Sequence, residues 1–356
     1  MLLPDSRLNA LLKTIETAFK QETHPLATIL RSELGEFPAG SQKDFNWEDL
    51  RPKATRTADL PGLCWWFLNQ LFPGNSPYKS PLERLQEEYR KELLNLMEAG
   101  EQERCLRTSF LLNYFVLLEQ RGIQQIDSQK FVTQLPIEQY IRKITSKANV
   151  PINFMAGLTP MGLTLVRLYD LLPAKSNTAM AICDWLSDLT ALIRQYLMPV
   201  RMSEQLFSFF PIAINQADES CEISQHLNWA CGDLNQVFLF RAVGSLLNDT
   251  SLLKLAERVA EFTTLRQQQY ATLVSDISVG GGTTGLVLMY DQLYRQTGQS
   301  TYLNAYSYWL ERTAEQTNAL TNLVSSNFLN GALGTYLALQ AVGKPDDMLA
   351  SLLFVM

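Results

Sequence analysis

The chain has 356 residues, room for one large domain or two ordinary ones. Apolar residues make up 46% and charged residues 19%, which fits a buried core and excludes a disordered chain. Thirty Lys and Arg against 36 Asp and Glu leave a formal charge of −6, so no nucleic-acid footprint and no surface for anionic membranes is expected. The only two histidines are His24 and His226, too few for a His-rich metal site. Five cysteines (Cys64, Cys105, Cys183, Cys221 and Cys231) are odd in number and form no CxxC, against a disulfide framework or a zinc ribbon. The opening Met1 to Asp5 lacks the basic and apolar regions of a secretory signal, and no charge-free apolar run of 18 residues occurs. The expectation is a cytoplasmic protein without a membrane span.

Helical periodicity dominates from the start. Residues 7–19 place Leu8, Leu11, Leu12, Ile15 and Phe19 on one face, and residues 82–97 do the same with Leu85, Tyr89, Leu93 and Leu96. Irregular stretches at 36–53 and 72–81 read as loops. Further helices are expected over 108–120, 163–172, 179–198, 236–247, 252–270, 286–296, 301–317 and 334–342. The best strand candidate is 207–215, which Pro211 demotes to a loop or a sheet edge. The fold class expected is all-α, in a single domain over residues 1–356, its helical N-terminal part at 1–150 the less regular portion.

Several of these helices follow a short glycine turn. The leading glycines stand at 62, 157, 232, 282 and 331, so the last two steps are 50 and 49 residues. The step from 157 to 232 is longer, and an insertion over about 199–226 accounts for the excess. Such an insertion maps to one face of an array and is a candidate interaction segment. For any single glycine the simplest reading is a C′ cap closing the helix before it. The repetition adds a second reading, a helix start that approaches a neighbouring backbone closely. Each repeat holds one apolar and one more polar helix, so neither buries its face without stacked neighbours.

The turns themselves resemble those of a known family. Residues 228–234 (NWACGDL), 282–286 (GTTGL), 157–163 (GLTPMGL) and 330–334 (NGALG) are similar, in order and spacing, to the turns of the lanthionine synthetase C-like (LanC-like) proteins. Residues 344–353 resemble that family's C-terminal ending. The resemblance covers about residues 150–356, and more weakly 59–71. It implies an α/α toroid, a double ring of helical hairpins. It also implies a zinc ion held by one Cys of the first turn and an adjacent Cys–His pair of the second. In the family that zinc activates a peptide thiol for thioether formation.

Read through the resemblance, the chemistry residues are replaced. Ala230 stands at the first Cys position, Gly280 and Gly281 at the Cys–His pair, and Ala156 at a histidine assigned an acid/base role. No metal ligands and no cofactor are therefore expected in this chain. Cys231, Asp233, His226, Trp229 and Thr283 border these turns and are the binding candidates. Cys231 could act in a shifted site; its plainer reading is a small buried residue, and that of His226 a hydrogen-bonded loop residue. For Asp233 the plainer reading is an acid in the first turn of a helix. Three functions stay open. The first is a scaffold of a ribosomal-peptide modification system that binds a precursor peptide or a partner dehydratase. The second is a zinc-independent thioether cyclase. The third is a toroid enzyme on carbohydrate-type substrates, with Asp184 and Asp188 as paired carboxylates.

Overall fold

The computed structural model describes residues 6, 8–13, 79–120, 131–132, 134–155, 157–173, 175–197, 208–274, 276–316, 329–343 and 348–355. Twelve helices are named here: α1 (Lys79–Ala99), α2 (Cys105–Gln120), α3 (Ile137–Thr145), α4 (Thr159–Tyr169), α5 (Asn177–Gln195), α6 (Asp233–Leu247), α7 (Thr250–Thr263), α8 (Gln269–Thr272), α9 (Thr283–Thr297), α10 (Ser300–Glu315), α11 (Ala332–Ala341) and α12 (Met348–Leu352). The all-α expectation holds. The chain divides into two compact units, Met1–Leu82 with Val274–Ala350, and Glu83–Leu273 with Ser351–Met356.

Within the second of these units, α2, α4 and α6 are buried nearly all round. Leu106, Phe110, Leu112 and Phe115 of α2 are covered, as are Met161, Leu163, Leu165 and Leu168 of α4, and Val237, Phe238, Leu239 and Phe240 of α6. Helices apolar on every side must lie inside. Their partners α5 and α7 are amphipathic. Each buries one stripe, Ile182, Trp185, Leu186, Leu189 and Ile193 on α5, and Leu252, Ala256, Val259 and Ala260 on α7. The other unit repeats the pattern. There α9 is the buried helix, and α10 contributes a single stripe of Tyr302, Ala305, Tyr306, Trp309 and Leu310. Helices α6 and α7 pack as one hairpin and α9 and α10 as another.

The leading glycines cap the starts of helices. Gly232, Gly282 and Gly331 are the N-cap residues of α6, α9 and α11. The C′-cap reading is corrected for these three, and a left-handed Gly298 (φ +69°) closes α9 instead. Gly232 adopts φ +124°, and a Cβ there would collide with the carbonyl oxygen of His226.

The loops before the helices are joined by the same hydrogen bond in both units. The amide two residues before one leading glycine donates to the carbonyl two residues before the next. Met155 N–H meets Ala230 O at 3.1 Å, and Gly280 N–H meets Leu329 O at 2.7 Å. A side chain four residues past the later glycine adds a second tie. Gln236 Nε2 donates to Ile152 O, and Thr335 Oγ1 donates to Ile277 O at 3.3 Å. The loop carbonyl in each case also accepts from Thr159 or Thr284, two residues past its own glycine.

The strand expectation is corrected in extent and in place. Only Ala213–Asn215 is extended (β2), and it is the central strand of a three-stranded antiparallel sheet between β1 (Asn149–Pro151) and β3 (Ser220–Glu222). Val150 faces Ile214, which faces Cys221. Pro211 lies outside the paired residues, so it removes no ladder bond. Helix α7 ends at Thr263, short of the expected 270, because Arg266 turns inward. Helix α3 was missed, although Ile137, Tyr140, Ile141 and Ile144 form a helical stripe and are buried. Among the described residues no helix is long and apolar enough to cross a membrane.

The C-terminal residues are held by polar side chains of their own unit. Asn113 Nδ2 donates to Ser351 O at 3.0 Å, and Trp229 Nε1 donates to Leu353 O at 2.8 Å. Arg167 Nη1 also donates to Ser351 O, at 2.5 Å, and to Asn113 Oδ1 at 2.7 Å. Burial pushes this guanidinium down to about 9.

The two glycines give a stability contrast. Gly298→Ala has open space around it and is expected to cost only the left-handed penalty, about 1–2 kcal/mol. Gly232→Ala adds a backbone collision to a comparable strain and is expected to cost clearly more in urea unfolding.

Candidate functional site

The candidate residues gather around the loops that precede α6 and α9, each described within its own unit. Asp233, the first residue of α6, is fully buried. Its Oδ1 accepts from Ser208 Oγ at 2.9 Å, Phe209 N–H at 3.0 Å and Phe210 N–H at 2.9 Å. Its Oδ2 accepts from Arg266 Nη1 at 3.1 Å. Burial pushes the Asp233 carboxyl above its usual range, while the guanidinium and these donors pull it back. Arg266 is itself spent on carbonyls: Nε donates to Ala271 O at 3.0 Å and Nη2 to Gln225 O at 2.6 Å. The pair therefore clamps three segments together: residues 208–210 within the insertion, Gln225 near its end, and the turn after α7. Neither charge has a lone pair or donor directed at a substrate by this arrangement.

Trp229 is also fully buried. Its ring stacks near Phe110 (6.4 Å between centroids) and meets Phe154 edge-on at 5.4 Å. It is a core residue with no face open to a ligand. Thr283, buried at the start of α9, accepts a hydrogen bond from Thr313 Oγ1 at 2.7 Å, and its N–H donates to Asp276 O at 2.9 Å. These contacts tie α9 to α10.

Cys231 and His226 are half-buried. The Cys231 N–H donates to Asn228 Oδ1 at 3.0 Å, and the Asn228 N–H donates back to Cys231 O at 3.1 Å. The thiol lies 3.7 Å from the same Asn228 oxygen. Burial pushes it up to about 11. His226 Nδ1 is 2.6 Å from Ser224 Oγ, which also accepts the His226 N–H at 3.1 Å. Ser224 carried no motif of its own and was missed; its place two residues before the histidine was the available signal.

Ala230 and Gly280 lend their backbones to the bonds between loops. At Gly280 a Cβ would crowd the Asn330 side chain, whereas at Gly281 it would meet only Asp276, 4.0 Å away. Ala156 lies outside the described residues. None of these positions carries a donor atom for zinc, and among the described residues no three His, Cys, Asp or Glu side chains gather as a metal site. The side chains present do not fit the ion that the family resemblance implies. Asp184 and Asp188 lie on the exposed face of α5, opposite its buried stripe.

Residues 274–353 match the family model of the lanthionine synthetase C-like proteins. Among solved structures, nisin cyclase superposes with a TM-score of 0.58 at 16% sequence identity, over 83% of this chain and 78% of that one. No curated protein sequence matches the chain significantly.

The buried pair gives a direct test of this loop cluster. Asp233→Ala strands Arg266 in the core and is expected to cost about 3–5 kcal/mol in chemical unfolding. Limited proteolysis should show faster cleavage within 208–226. Replacing both partners, Asp233→Ala with Arg266→Met, should recover much of that loss.

The match of residues 274–353 to the lanthionine synthetase C-like family model and the fold shared with nisin cyclase both agree with the glycine-led repeat of helical hairpins.

Proposed function

We propose that this chain serves a ribosomal-peptide modification system as a LanC-like scaffold with a degenerate zinc site, binding a precursor peptide or a partner dehydratase in the cytoplasm. The observation that carries this reading is the contrast at the turns. The backbones at positions 230 and 280 join neighbouring loops by hydrogen bonds, while the side chains there are only Ala and Gly. A catalytic zinc site needs about three protein ligands and one open position. Cys231 and His226 supply two soft donors in the same loop, and each already has a hydrogen-bonding partner. The carbohydrate reading draws no support from Asp184 and Asp188, which stand on a solvated helix face.

Metal content by inductively coupled plasma mass spectrometry tests the site. The purified chain is expected to carry well under one zinc per molecule, with Cys231→Ala unchanged. About one zinc per chain, lost with that substitution, would restore a metal-dependent mechanism. Calorimetry with a precursor peptide encoded beside the gene should show metal-independent binding under the same conditions.

A further inference from the structure

Among the described residues two arginines are buried, and they are satisfied unequally. Arg266 uses all three of its nitrogens and faces the carboxylate of Asp233. Arg167, in the last turn of α4, uses one. Its Nη1 donates to Asn113 Oδ1 at 2.7 Å and to Ser351 O at 2.5 Å, both neutral acceptors. Its Nε and Nη2 donate to no group among the described residues, and no carboxylate there pairs with it. Neither atom is sealed from solvent, although Arg167 as a whole is only 8% exposed. The residue is also held in place. Asn113 is itself anchored by donating to Ser351 O at 3.0 Å, and Gln120 Nε2 donates to Arg167 O at 3.4 Å.

We propose that Arg167 is the receptor of a small oxyanion, a carboxylate or a phosphate group, taken on the Nε–Nη2 edge of its guanidinium. That edge presents two parallel N–H donors, which match two oxygens of one such group. A buried cation is costly unless an opposite charge and a full set of acceptors compensate it. Two neutral oxygens on a single nitrogen compensate Arg167 only in part. The guanidinium keeps its charge at neutral pH, since burial brings it down only to about 9. The bonds from Asn113 and Gln120 fix the edge before a ligand arrives, so little side-chain freedom is lost on binding. With so little of the residue exposed, only a small or terminal group reaches the two donors. Chloride offers one centre where the edge asks for two, so it is the weaker ligand. The site stands at the end of α4 away from the glycine turn at 157 and uses none of positions 230, 280 and 281. It does not rest on the scaffold reading.

The test is nuclear magnetic resonance of the full, isotope-labelled chain, following the arginine Nε–H signals. Sodium acetate is the titrant in one arm, inorganic phosphate in the second, and chloride at matched ionic strength in the third. The Arg167 signal is assigned on the unsubstituted chain, so the titration does not depend on a variant folding. It is expected to shift and saturate in the millimolar range with acetate or phosphate and not with chloride. Signals of exposed arginines such as Arg104 and Arg312 should drift without saturating. Urea unfolding is the second readout. The saturating anion should raise the midpoint above its value in chloride, and Arg167→Lys and Arg167→Met should each lose most of that gain. Saturation by acetate alone assigns a carboxylate and by phosphate alone a phosphate group, and either supports the site. An Arg167 signal that neither oxyanion saturates, or a midpoint gain that both variants keep, would overturn it.

Discussion

The structure depends on a backbone constraint at the glycine-led turns. A helix that is apolar on every side cannot satisfy its first amides with solvent, so the loop before it must do that work. Within each unit one loop leans on the next. One amide reaches the following loop two residues before its glycine, and one side chain returns from the following helix to the same loop. The bonds at Met155–Ala230 and Gly280–Leu329 are made by backbone atoms alone. The side chains at those positions take no part in these bonds. The bonds at positions 230 and 280 are therefore compatible with Ala and Gly there. At Gly280 the bond also comes with little room, since a Cβ there would crowd Asn330.

Residue 233 shows the opposite case, a side chain absorbed entirely by structure. An acid at the start of a helix reads from sequence as a dipole partner. In the fold it is the anchor of a buried ion pair whose cation lies thirty-three residues onward. Such a pair recovers its desolvation only when its remaining donors and acceptors are filled, and here they are, by two backbone amides, a hydroxyl and two carbonyls. The consequence is positional. The described part of the insertion is fastened at 208–210 and at Gln225, which fixes the loop bearing Ser224 and His226 against the start of α6.

Much of this was legible in the sequence. The period of about 50 residues located the helix starts, and apolar runs identified the helices that lie inside. The helices α7 and α10 were expected, over 252–270 and 301–317, without the stripes that they bury. Three features were not legible, each because a distant contact decides it. Helix α7 stops early since Arg266 is drawn to Asp233. The strand at 213–215 is central, because its neighbours come from residues 149–151 and 220–222. Trp229, beside a turn that suggested binding, is claimed by Phe110, Phe154 and the carbonyl of Leu353. Local pattern reports which face of an element is apolar and is silent on which partner covers it.

A thiol reaction near neutral pH requires that the sulfur lose its proton, and two devices achieve this. A zinc ion stabilises the thiolate outright, and a positioned base removes the proton during the reaction. The side chains at 230, 280 and 281 cannot supply the first. The loop at 224–231 is held at Gln225 by the buried clamp that also holds residues 208–210, and burial pushes the Cys231 thiol up to about 11, so any thiol reaction there would need the second.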